Sequence, residues 1–149
     1  MIHVIPHLIV KKADEILLIK RAIDQRIWCG HWHCVTGTIK ACETPRQAIM
    51  REAKEEIGLD IIQPELVTVL SCDQPSILNP GNRFYSLELF FLHNLRANEV
   101  LVNIEPAKHS DIKWFKIDDL PEKIIPHVKL GIDNYNCGVR YYEYRSENI

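Results

Sequence analysis

The sequence lacks several features that would settle its class at once. No window approaches the roughly 18 apolar residues needed to cross a bilayer, so no membrane-spanning helix is expected. The opening stretch MIHVIPHLIVKKADEILLIKR has no basic leader ahead of a long apolar run, so no signal peptide is expected either. The five cysteines (Cys29, Cys34, Cys42, Cys72 and Cys137) are an odd set without a Cys-x-x-Cys pair. That argues against a disulfide framework and suits a reducing cytoplasm. A surplus of one charge is missing too: a net charge of −2 gives no electrostatic footprint for duplex nucleic acid. Internal repeats, low-complexity tracts and linker-like runs are absent. At 149 residues and 46% hydrophobic, the chain is read as one domain, residues 1–149, large enough to bury a core.

What is present concentrates in Gly37 to Leu59, GTIKACETPRQAIMREAKEEIGL. Thr44 is a natural N-cap, Pro45 suits the first helical position, and Gln47 completes a Thr-x-x-Gln capping box. Gly58 stands where a left-handed C-terminal cap falls. Between the caps, Glu52, Glu55 and Glu56 share a helical stripe about 100° wide, and Ile49, Ala53 and Ile57 form the adjoining apolar stripe. Acids at this spacing repel one another by a few tenths of a kcal/mol each. Clustered carboxylate oxygens are also what a hard divalent cation requires. By itself, Glu-x-x-Glu-Glu also reads as a solvated acidic face.

The wider spacing decides between these. Five residues follow Gly37, then Glu43, then seven more, then Arg51-Glu52-Ala53-Lys54-Glu55-Glu56-Ile57-Gly58-Leu59. This pattern resembles the Nudix box at every fixed position, with Ala53 smaller than usual at one apolar slot, and is far more specific than a short motif. The resemblance implies an α/β fold, an α/β/α sandwich around a mixed β-sheet. It also implies a pyrophosphohydrolase acting on a diphosphate linked to another group. Mg²⁺, or Mn²⁺, would be held by Glu52, Glu55 and Glu56, with the main-chain carbonyl of Thr36 as a further ligand. By the same resemblance Glu43 and Arg51 pair and orient the acidic stripe, and an acid outside the box takes part, for which Glu105 is best placed. The general base stays open among Glu55, Glu105 and a hydroxide generated on the metal.

Around the box, residues 2–10 and 16–20 are expected to form a hairpin. It ends at Lys20-Arg21, and the resemblance turns Arg21 toward substrate phosphates. Residues 22–35 read as a loop and short strand, in which Trp28 and Trp32 either stack on a nucleobase or pack. Cys29, His31, His33 and Cys34 match no standard zinc spacing. Strands are expected at 65–71, 84–92 and 111–115, with the loop DQPSILNPGNR between the first two. A long polar connection spans 96–109. Residues 117–121 are expected to form a short turn of helix, and Pro126 to open a second helix over 127–134. The tail YNCGVRYYEYRSENI has three readings: packing on the sheet, a dimer contact, or a fraying end.

The substrate expected is a nucleoside triphosphate cleaved to the monophosphate and pyrophosphate, because no inserted segment offers a second recognition unit. The segment WHCVTG resembles forms that handle dATP or dihydroneopterin triphosphate. Pro75 resembles a feature of ADP-ribose pyrophosphatases, and a catalytically silent binding module is the remaining alternative. The partner expected is a small nucleoside diphosphate derivative, with no nucleic-acid duplex and no membrane, bound by a monomer or homodimer.

Overall fold

A computed structural model describes residues 1–147. The elements run β1 (Ile2–Lys12), β2 (Glu15–Arg21), β3 (Trp32–His33), β4 (Val35–Thr36), α1 (Pro45–Ile57), β5 (Glu65–Pro75), β6 (Arg83–Asn94), β7 (His109–Lys116), α2 (Pro126–Asn136) and β8 (Tyr141–Arg145). The strands form one eight-stranded mixed sheet. At the hairpin, Lys11 faces Ile16. Beyond it, β1 runs parallel to β6, from Ile2 opposite Tyr85 to Lys11 opposite Asn94. Strand β2 instead pairs antiparallel with β7.

Period-two alternation along β1 and β2 sends Leu8, Val10, Leu17 and Ile19 to one face and Ile9, Ile16 and Leu18 to the other. Helix α1 covers the first face with Ile49, Ala53 and Ile57, and α2 covers the second with Val128 and Ile132. With both faces covered, Leu8 to Val10 and Ile16 to Ile19 are continuous buried runs. The layering is the expected α/β/α sandwich.

The ends of α1 follow the sequence signals. Thr44 accepts from the Gln47 backbone N–H at 3.2 Å, and Gln47 Oε1 accepts from the Thr44 N–H at 2.9 Å. Gly58 closes the helix with φ +72°, a left-handed conformation that costs glycine no Cβ clash. The N–H groups of Ile104 and Val102 donate to the Glu56 and Ile57 carbonyls, each at 3.1 Å. These bonds use carbonyls that a helix end leaves without partners. They also draw the 95–108 connection against the acidic end of α1.

Three expectations change. Residues 117–121 form no turn of helix: Asp119 N–H closes a single turn onto the Lys116 carbonyl at 3.0 Å. Strands β5 and β6 extend further than expected, which shortens the loop between them to 76–82. The tail enters the sheet as β8, parallel to β5 with Val69 opposite Tyr141. Its last two residues, 148 and 149, lie outside the described residues.

Candidate active site

The box converges on Arg51. Its Nε donates to Glu43 Oε1 at 2.6 Å and its Nη2 to Glu43 Oε2 at 3.0 Å, a bidentate pair. Nη2 also reaches the Thr38 carbonyl at 2.9 Å, while Nη1 donates to Glu52 at 2.7 Å and to Glu55 at 3.2 Å. One guanidinium thus ties the loop to the helix and fixes two of the three acids. Arg51 pulls the Glu43 carboxyl down to about 2. Glu55 is the most open of the three acids.

Glu56 lies deepest. Burial, followed by the negative charges of Glu52 and Glu105, lifts its pKa well above the usual carboxylate range, and a hydrogen bond from the Thr36 backbone only partly opposes this. Its Oε2 is sealed from solvent without a hydrogen-bond partner. Burial also raises Glu52, against the pull of Arg51. Glu105 is brought close enough to raise both, and Lys108 Nζ sits 2.8 Å from its Oε2. Glu52 packs directly on Gly37: a Cβ there would fall 2.0 Å from its Cδ and Oε1. The glycine of the motif therefore lets Glu52 sit where it does, since any Cβ at this position would displace its carboxylate.

Beside this acidic face opens a cleft of about 340 Å³, lined by Arg21, Trp28, Thr36, Phe84 and Glu88 among others. That volume lies in the small-ligand range. Trp28 reaches it from a left-handed backbone (φ +51°), uncommon for a bulky residue. Trp32 is turned away, buried against Phe115 with ring centroids 4.9 Å apart. Arg21 lines the cleft, but its Nε is occupied by the Ile27 carbonyl at 2.9 Å. Thr36 joins the two regions, lining the cleft while its backbone hydrogen-bonds Glu56.

The sequence reading passed over His3, His7, Phe84, Glu88 and His127, all of which line the cleft. Burial presses His127 down to about 4. Glu88 sits below its ordinary value, because the hydrogen bond from His7 and nearby charge outweigh a burial that would raise it. The signal available for His7 and Glu88 was a polar residue set among apolar ones in each of two strands, in IPHLIV and in SLELFF.

A helical face of glutamates thus stands beside a small-ligand cleft, on a mixed sheet between two helices. The NUDIX domain matches residues 3–132, and the chain belongs to that family. The RNA pyrophosphohydrolase of Rickettsia rickettsii (strain Sheila Smith) is 32% identical over 127 residues, 80% of this chain and 78% of that protein. The NAD-capped RNA hydrolase NudC of Stutzerimonas stutzeri is 29% identical over 113 residues, covering 76% of this chain. The chain spans only 36% of that relative's length. The fold is shared with the MutT NUDIX hydrolase of Burkholderia pseudomallei at a TM-score of 0.75 and 24% identity, over 89% of this chain and 97% of that one.

Proposed function

We propose that the protein is a Mg²⁺-dependent hydrolase of a nucleoside triphosphate, yielding the monophosphate and pyrophosphate. The observation that carries this reading is the junction at Thr36 and Gly37, where the acidic face meets the cleft. A substrate with its base in the cleft has its phosphates directed along the glutamates. The donor set suits a hard divalent ion: Glu56 keeps an unpartnered buried oxygen, and like charges crowd it. When bound, Mg²⁺ or Mn²⁺ neutralises phosphate oxygens and acidifies a water.

The chain's own residues divide the remaining work. Glu52, Glu55, Glu56 and the Thr36 carbonyl hold the ion. Arg51, locked by Glu43, orients Glu52 and Glu55. Arg21 faces the phosphates, and Trp28 offers the base a stacking surface worth about 1–3 kcal/mol. Glu105 or Glu55 accepts the proton of the attacking water. Trp32 contributes by packing.

The test is turnover with Mg²⁺ on canonical and oxidised dNTPs, NTPs, ADP-ribose, dihydroneopterin triphosphate, diadenosine polyphosphates and 5′-triphosphorylated RNA. A nucleoside triphosphate is expected to be preferred, with pyrophosphate as co-product, read as phosphate released only after inorganic pyrophosphatase is added. Preference for ADP-ribose with release of AMP would overturn the substrate and favour the reading from Pro75. No turnover on any of these would favour the binding module.

A further inference from the structure

The cleft floor holds a constellation that the reaction above does not use. Glu88 on β6 is fully buried. It pairs across the sheet with Ile5, two positions from His7 on β1, so both side chains leave the same face. His7 Nε2 lies 2.6 Å from Glu88 Oε2, and Ser86 Oγ donates to Glu88 Oε1. The first turn of α2 brings His127 over the same point. One ligand-type atom from each of His7, Glu88 and His127 lies within 4.8 Å of the other two.

Two observations separate this cluster from an ordinary polar core. Nδ1 of His7 and Nδ1 of His127 are both sealed from solvent without a hydrogen-bond partner. Among the described residues, Glu88 has His7 as its ion-pair partner, with Ser86 as the other hydrogen-bond donor, and neither lysine nor arginine. Two imidazoles and a carboxylate, with their open side toward a cleft, are the donor set of a d-block divalent ion. Mg²⁺ prefers an all-oxygen shell, so this set discriminates against it.

We infer that His7, Glu88 and His127 form a second metal site, taking one ion of the zinc class at the cleft floor with an open position facing the substrate space. Imidazole ligates through a lone pair, so as the ion enters His7 takes the tautomer with its proton on Nδ1, freeing the Nε2 that now faces Glu88. Their atoms then part from 2.6 Å to about 3.4 Å, the separation of two ligands on a tetrahedral ion. Ser86 remains behind Glu88 to hold its carboxylate in orientation.

Cobalt titration of the whole chain tests this without depending on turnover. One equivalent of Co²⁺ is expected to give the visible d–d absorption of a four- or five-coordinate nitrogen-containing site. Zn²⁺ should abolish the signal, and excess Mg²⁺ should not. His127→Gln and Glu88→Gln should each weaken Co²⁺ binding at least tenfold while keeping native circular dichroism. Glu56→Gln should leave the signal unchanged. Absence of the bands, their loss to Mg²⁺, or their persistence at full affinity in both folded variants would overturn the site. Should either variant fail to fold, the same comparison is made with His7→Gln.

Discussion

Glu56→Gln is expected to lower turnover at least about a hundredfold and to raise the melting midpoint of the metal-free protein. The loss follows from removing one charged oxygen from a hard-ion shell, where a single ligand charge dominates affinity and orientation. The gain follows from burial. Glu56 has its folded pKa lifted above the ordinary 4.5 by desolvation, Glu52 and Glu105. A raised carboxyl binds more protons folded than unfolded, so stability falls as pH climbs from the unfolded value through the folded one. Glutamine cannot ionise and loses that slope. Relief of one buried, unpaired charge is worth about 1–3 kcal/mol, several degrees for a chain of this size. Steady-state kinetics beside chelated thermal melts from pH 4 to pH 8 check both signs. A variant with activity within a few-fold of the native chain would remove Glu56 from the ligand set.

Gly37→Ala is expected to cut kcat about ten- to a hundredfold with little change in stability. The new Cβ would stand 2.0 Å from Glu52 Cδ, so Glu52 must swing aside. Glutamate ends in a flexible carboxylate, and Gly37 is not in the left-handed region, so the backbone accepts alanine. The cost therefore falls on position: a displacement near 1 Å in a catalytic array costs about a hundredfold. Kinetics and a melt on the same preparation separate the two effects. A large drop in midpoint with intact kcat would mean that Gly37 serves the fold and not the acidic face.

Legibility in the sequence followed the range of the interactions. The ends of α1 were readable because Thr44, Gln47 and Gly58 act within a few residues of themselves. The pairing of Glu43 with Arg51 was legible only through the resemblance to the Nudix box, and the structure forms it. Which face each residue of β1 and β2 takes was not legible, because Leu8 to Val10 and Ile16 to Ile19 are continuous apolar runs buried on both sides. What escaped was non-local. His7, Glu88 and His127 sit on β1, β6 and α2 and meet only through a parallel β1–β6 register that no turn chemistry encodes. The pairing of β8 with β5 is likewise parallel and distant. The choice between stacking and packing for Trp32 rested on Phe115, more than eighty residues away in sequence. The turn at 117–121 failed as a helix because Asp119 closes a single turn onto Lys116 while the Ile117 N–H is taken by the distant Asp14 carbonyl.

The central claim is that the α1 glutamates would hold a divalent ion on which hydrolysis of a phosphoanhydride depends. Its most direct measurement is turnover of the preferred substrate after EDTA treatment, repeated as Mg²⁺ is restored. Activity should vanish with chelation and return saturably, while Mg²⁺ raises the melting midpoint of the native chain more than that of Glu56→Gln. Turnover undiminished by EDTA, or an equal Mg²⁺ shift in both proteins, would contradict it.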